Sequence, residues 1–291
     1  MLEGLIRAGF AVNGTWPVRT EQQSRMRAVE SNALASSIIL VCRPRPEDAR
    51  STTRLEFVRA LRRELPAALR ALQSANIAPV DLAQAAIGPG MAIYSRHKAV
   101  LEADGTPMRV RAALQLINQA LDEVLAEQEG AYDADTRWAI AWFEQFAFEE
   151  GAYGVAETLS KAKNTSVQGM VDAGVALARA GKVRLLRRNE LPEGWLPSTD
   201  GRLTAWEMTQ HLVWALDQGG ELAAAVLLQA APSLADAARD LAYRLYSTCE
   251  RKKWAAEALA YNSLVIAWPE IARLAVERGE GGMPEQRGLF E

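Results

Sequence analysis

Apolar residues recur every three or four positions along residues 108–128, where Val110, Ala113, Leu114, Ile117, Leu121 and Val124 share one stripe. This spacing predicts an amphipathic helix. Weaker versions precede it. Ser51, Thr52 or Thr53 can cap a helix through "RLEFVRALRREL", and Pro66 starts or kinks a second run, "PAALRALQSAN". "IAPVDLAQAAIGPGM" predicts a short helix ended by the turn signal Gly88-Pro89-Gly90, and "YSRHKAVLEA" a further helix before the turn "DGTP". From residue 202 the pattern is again helical through "TAWEMTQHLVWALDQGG", "ELAAAVLLQAA", "LADAARDLAYRLYSTCERK" and "AAEALAYNSLVIAWPEIARLAVERG".

The head of the chain differs. Residues 1–8 read as the last turns of an amphipathic helix, with Gly9 just past its end. Phe10, Val12, Trp16 and Val18 then predict a strand, and Ser37 to Cys42, "SIILVC", a second and almost wholly apolar one. Strands without polar alternation are usually buried on both faces, and an isolated hairpin is marginal in water. The pair therefore reads as the rim of an α/β sheet.

Asp133 or Asp135 can cap a helix "TRWAIAWFEQFAF"; "GVAETLSKAKN" follows, then a short helix "SVQGMVDAG" opened by Thr165 or Ser166. Two strand-like runs in "VALARAGKVRLLRRNEL" meet at Ala180-Gly181. Three helices followed by a hairpin is the order of a winged helix-turn-helix. The expected fold class is mainly α: an N-terminal β-hairpin remnant of an α/β sheet, then a helical domain with an embedded winged helix-turn-helix. The expected segments are 1–46 (sheet edge), 47–130 (helical), 131–192 (winged), 193–277 (helical) and 278–291 (a frayed polar tail).

Composition is ordinary for a globular protein, with 49% hydrophobic and 24% charged residues in 291. The net charge of -3 argues against wholesale wrapping of nucleic acid and leaves room for a local patch. One exists. Between Thr158 and Glu190, Lys161, Lys163, Arg179, Lys182, Arg184, Arg187 and Arg188 oppose Asp172 and Glu190, so seven minus two gives +5 and the remainder carries -8. Asn164, Thr165, Ser166 and Gln168, at the start of the short helix, have amides and hydroxyls of the kind that contact bases and phosphates. Lys182 and Arg184, with Arg187, would add phosphate contacts from the wing. The proposed DNA-contact set is Lys161, Lys163, Asn164, Thr165, Ser166, Gln168, Lys182, Arg184 and Arg187, opposed by the reading of the winged unit as a packing module.

Other chemistry is thin. His97 and His211 have no second ligand three or four residues away, so structural roles are favoured. Cys42 and Cys249 lie far apart without metal-ligand spacing and read as buried thiols in a reducing cytoplasm. The aromatics of "RWAIAWFEQFAF" have core spacing, while Asp122-Glu123 and Glu149-Glu150 read as solvated faces. "RGEGG" has no strand before it and is discarded as a phosphate cradle. No Ser-His-Asp, Walker or zinc pattern is present, and no stretch approaches the roughly 20 apolar residues of a membrane span. The expectation is a cytoplasmic protein with no catalytic centre of its own.

The opening strands, "AGF" through "TWPVRTE" and then "ALASSIILVCRPR", resemble the last antiparallel pair of a DNA amino-methyltransferase sheet, in which the link between them lies near the DNA. "ELPAALRALQ", "LINQALDEVLAEQEG", "DTRWAIAWFEQ", "ETLSKAKNTSV", "GKVRLLRR" and "ALAYNSLVIAWPEI" resemble the C-terminal region of large bacterial and archaeal adenine-specific DNA methylases, the group containing a zinc ribbon. The resemblance covers residues 5 to about 272. It implies S-adenosylmethionine as the cofactor of a whole enzyme. No cofactor, metal or catalytic residue carries over to this chain, because it lacks the Pro-Pro pair, the Phe-x-Gly-x-Gly turn and the ribbon cysteines. Met1 falls within the helix that should precede the penultimate strand, which implies a truncated frame or the downstream piece of a split gene.

The resulting expectation is a DNA-positioning fragment of an adenine-specific methyltransferase, with double-stranded DNA as partner and a catalytic core elsewhere on the same or another chain. Two alternatives remain open. One is a protein-interaction module of a DNA modification or phage defence system; the other is an inactive remnant.

Overall fold

The computed structural model describes residues 2–19, 36–192 and 194–280, and the chain divides into two compact units, 1–129 and 130–291. It is mainly helical with small sheets.

In the first unit α1 (Leu2–Arg7) ends at Gly9, whose φ of 85° is the left-handed position expected there. β1 (Phe10–Arg19) and β2 (Ser36–Pro44) form an antiparallel pair with a bulge between Val12 and Gly14. Among the described residues no third strand joins them. The run that links them, 20–35, lies outside the described residues, as does the tail expected to fray from residue 281 on; residues 278–280 belong to the last helix of the chain's described part. β3 (Thr52–Thr53) leads into α2 (Arg54–Ser74), capped by Thr53, whose hydroxyl oxygen accepts from the amide of Glu56 at 3.2 Å. Pro66 lies inside α2, so the two runs expected there form one helix.

α3 (Pro79–Ser95) corrects another expectation. Gly88-Pro89-Gly90 is a helix interior and not a turn. The glycines are there for close approach: a Cβ on Gly88 would meet the Thr15 hydroxyl at 2.1 Å, and one on Gly90 the Ile117 side chain at 2.5 Å. Nor does a helix form at residues 94–103. α3 stops, and β4 (Val100–Leu101) pairs in parallel with β3. α4 (Val110–Glu127) buries Val110, Ala113, Ile117, Leu121 and Val124, as its stripe predicts.

The hairpin has two different faces. Val12 is buried, and Thr15 reaches α3. On the other face the cross-strand partners Trp16 and Ile39 are 65% and 53% exposed, with Val18 and Val41 beside them.

The second unit opens with α5 (Ala134–Phe146), capped by Asp133, which accepts from the Thr136 amide at 2.7 Å. Trp138, Trp142 and Phe143 are its fully buried face, and the two indoles stack at 5.1 Å. Then come β5 (Gly151–Ala152), α6 (Tyr153–Lys163), α7 (Val167–Asp172), β6 (Ala176–Arg179) and β7 (Lys182–Leu185). β7 lies between the other two strands, both antiparallel to it. Ala180 and Gly181, with φ of 52° and 74°, make the two-residue turn between β6 and β7. Gly151 is needed because a Cβ there would meet the Trp142 ring at 2.7 Å.

Three helices complete the unit: α8 (Ala205–Ala230), bent at Gly220 (φ 69°, ψ -167°), α9 (Ala235–Lys252) and α10 (Ala255–Glu280). The bend is the break expected between "ALDQGG" and "ELAAAV". Among the described residues no helix is long and apolar enough to cross a membrane.

Candidate nucleic-acid interface

The turn between α6 and α7 is tightly determined. Asn164 takes the left-handed conformation (φ 63°) that ends α6, and Ser166 caps α7, its hydroxyl oxygen accepting from the Gly169 amide at 3.0 Å. Thr165 donates its hydroxyl to the buried carboxylate of Asp135 and accepts from Arg202 Nη2 at 3.2 Å. Arg202 grips the same carboxylate twice, Nε at 2.6 Å and Nη2 at 3.0 Å. Its guanidinium lies against α7 where a Cβ on Gly169 would come within 2.5 Å of Nη1. Thr165 is thus a brace. Gln168 is exposed, its amide donating to Asp172 at 2.7 Å.

Carboxylates accompany the basic residues of this unit. Lys161 pairs with Glu157 at 3.4 Å, Lys182 with Glu150 at 3.0 Å, and Arg187 with Glu149 at 2.8 Å. Arg184 lies mostly covered, held through both Nη atoms by Glu190 at 2.6 and 2.7 Å, and in turn it keeps the Glu190 carboxyl below its usual range. Lys163 is in the last turn of α6, half-buried, and Arg179 ends β6 in an exposed position. Extending the count back to residue 149 adds Glu149, Glu150 and Glu157, so +5 becomes +2. Glu149 and Glu150 are exposed, as read from the sequence, and pairing of β5 with β7 brings both carboxylates beside the β6–β7 hairpin.

Arg188, counted with the basic patch, points inward. Its side chain is 16% exposed, Nη2 lies 2.6 Å from Glu257, and Nε donates to Gln210 at 3.0 Å. The guanidinium also sits over the rings of Tyr261 (5.1 Å) and Phe148 (5.8 Å). It forms one wall of a cleft of about 480 Å³ lined also by Trp214, Asp217, Leu259 and Ser263. Nothing in local sequence distinguishes Arg188 from Arg187.

His211 is buried and stacked on Trp195 at 3.9 Å, and burial pushes its pKa down to about 4. Glu207, four residues earlier, is pushed up to about 8 by burial. His97 is half-buried just past α3. Cys249 is buried, its thiol pushed up to about 12, whereas Cys42 is only partly covered. Among the described residues no group of three or more His, Cys, Asp or Glu is placed to hold a metal ion.

A family model described as a domain of unknown function, DUF8807, matches residues 133–289, more than half of the chain. The chain belongs to the DUF8807 family. The matched region begins at Asp133, the cap of α5, and takes in the three-stranded sheet and α8 to α10 together. No curated protein and no solved structure matches the chain.

Proposed function

We propose that this chain is a duplex-DNA-positioning component of a DNA amino-methylation system, with the unit from α5 to β7 acting as a winged helix-turn-helix. β1 and β2 would form the rim of a methyltransferase sheet completed by a catalytic core on the same or another chain, which would also bring S-adenosylmethionine. The observation that carries this reading is the element order: helix, strand, helix, tight turn, helix, hairpin, with the first strand against the last. Lys161, Asn164, Ser166, Gln168, Arg179 and Lys182 share this unit as exposed polar or basic positions. A group that modifies a base inside a duplex must extrude it, and a clamp on the flanking backbone is what such a step requires. A charge of +2 over residues 149–190 implies modest affinity dominated by few phosphates.

The test is an anisotropy titration of the full chain against a labelled duplex over a range of salt. The logarithm of the association constant is expected to fall linearly with the logarithm of salt. Lys161→Ala and Lys182→Ala should each reduce the slope by about one. Absence of salt-dependent binding, or slopes unchanged in both variants, defeats the reading.

A protein-interaction role is favoured by one observation, the exposed apolar face of Trp16, Val18, Ile39 and Val41. Contiguous apolar patches of this kind mark contact surfaces. This face is compatible with docking to a catalytic chain and equally with a partner unrelated to DNA.

A further inference from the structure

We propose that Arg202 is a positioning residue for α7, so that the presentation of Gln168 to a base edge is set from the connection leading into α8 and not by the winged unit alone. The inference rests on the proposed duplex contact. Its structural basis is independent of charge counting. Arg202 belongs to neither α6 nor α7, yet its guanidinium meets the start of α5 through Asp135 and the α6–α7 turn through Thr165, and it lies against α7 at Gly169. Asp135 is itself buried, with its side chain 8% exposed.

A short helix needs such an external brace. α7 has six residues, fewer than an isolated helix requires to persist in water, so its direction depends on what holds its ends. Val167 and Met170 bury one side of it, and Ser166 and Arg202 fix its start. Base readout by an amide needs two hydrogen bonds of defined direction, so a small rotation of α7 would lose it. Phosphate contacts from Lys161 and Lys182 tolerate such a rotation, because both lie on other elements. Arg202 therefore acts on discrimination between sequences and not on the electrostatic part of affinity.

The experiment uses the full chain with two duplexes: one enriched from a random library by the wild-type protein, and one unrelated. Arg202→Ala, Arg202→Lys and Thr165→Val are compared for the affinity ratio between the duplexes and for the salt slope on each. The expected result is a ratio reduced by about tenfold in Arg202→Ala, the cost of one lost base contact, with the salt slope unchanged. Thr165→Val keeps the Arg202–Asp135 pair and should lose less; Arg202→Lys, which cannot grip the carboxylate twice, should not rescue. If Arg202→Ala does not fold, the other two variants decide. Variants that retain the wild-type ratio overturn the inference while leaving the duplex contact intact. So does a wild-type chain that binds without discriminating. A wild-type chain that shows no salt-dependent binding at all defeats the proposed function itself.

Discussion

Thr15 donates its hydroxyl to the carbonyl oxygen of Ala85 at 2.8 Å, the oxygen that Pro89, four residues on, leaves without its helical N–H partner. A proline inside α3 is thus compensated by a side chain from β1, and Gly88 leaves the space through which that side chain reaches. The same strand is tied a second time, where the Val12 amide at the bulge donates to Ser95 Oγ at 2.8 Å. Thr15→Val keeps the shape and removes the donor, and should destabilise the first unit by about 1–3 kcal/mol. Pro89→Ala restores an N–H to the helix. The double variant should therefore be less destabilised than the sum of the single ones in urea unfolding. Strict additivity would show that the two residues are not coupled.

Glu149 and Glu150 supply a second test. Each pairs with a cation on or just after β7, Arg187 at 2.8 Å and Lys182 at 3.0 Å, in exposed positions. Exposed pairs contribute about 0.2–1 kcal/mol, so replacing both carboxylates by glutamine should leave the melting temperature nearly unchanged. If the wing meets phosphates, the same change frees two cations. The double variant should bind duplex several-fold more tightly, with a steeper salt slope. Binding that is unaltered in anisotropy would mean that the wing cations do not meet phosphates.

The pH dependence should carry two opposing limbs from one turn of α8. His211 has a folded pKa lowered to about 4 from 6.5, because burial disfavours the imidazolium. The unfolded chain takes up that proton first, so stability falls as pH drops from 6.5 toward 4. Glu207 is the opposite case, its folded pKa raised to about 8 from 4.5. The folded chain keeps its proton while the unfolded chain loses it, so stability falls as pH rises from 4.5 toward 8. Glu207→Gln keeps an uncharged group that can still accept from Thr204 and should flatten the alkaline limb. The gain near pH 8 is expected to be on the order of a few kcal/mol. Chemical denaturation between pH 5 and 8.5 measures it, and an unchanged limb in the variant would assign the effect to another group.

Much of the architecture is legible from local pattern. The α4 stripe, the left-handed Gly9, caps at Asp133 or Asp135 and at Thr165 or Ser166, which the structure places on Asp133 and Ser166, and the strands meeting at Ala180-Gly181 all follow from chemistry within a few residues of each position. What is not legible depends on partners far along the chain. Gly88-Pro89-Gly90 has the composition of a turn, and only Thr15 and Ile117 make it a helix interior. Val100-Leu101 looks helical in context, and only pairing with Thr52-Thr53 makes it a strand. The brace at Thr165 joins residues 67 apart, Asp135, legible only as a possible cap, and Arg202, which carries no motif. The basic count between Thr158 and Glu190 likewise omits Glu149 and Glu150, which reach the β6–β7 hairpin by strand pairing.

Arg188 and Glu257 allow the buried chemistry of the second unit to be tested apart from any ligand. They meet at 2.6 Å with side chains 16% and 27% exposed, and Arg188 also donates to Gln210, which in turn donates to the Tyr261 hydroxyl at 3.1 Å. Removing one partner of such a pair leaves the other charge without compensation in a poorly solvated place. Glu257→Gln should therefore cost about 1–3 kcal/mol, because the pair lines a cleft and is only partly buried. Arg188→Met with Glu257→Leu removes both charges and keeps most of the volume, so the double variant should recover a large part of that loss. Replacing a buried pair by apolar groups is often near neutral, because the desolvation penalty disappears with the attraction. A double variant as unstable as Glu257→Gln in chemical denaturation would mean that the stacking of Arg188 on Phe148 and Tyr261, and not the ion pair, holds the segment after β7 to α10.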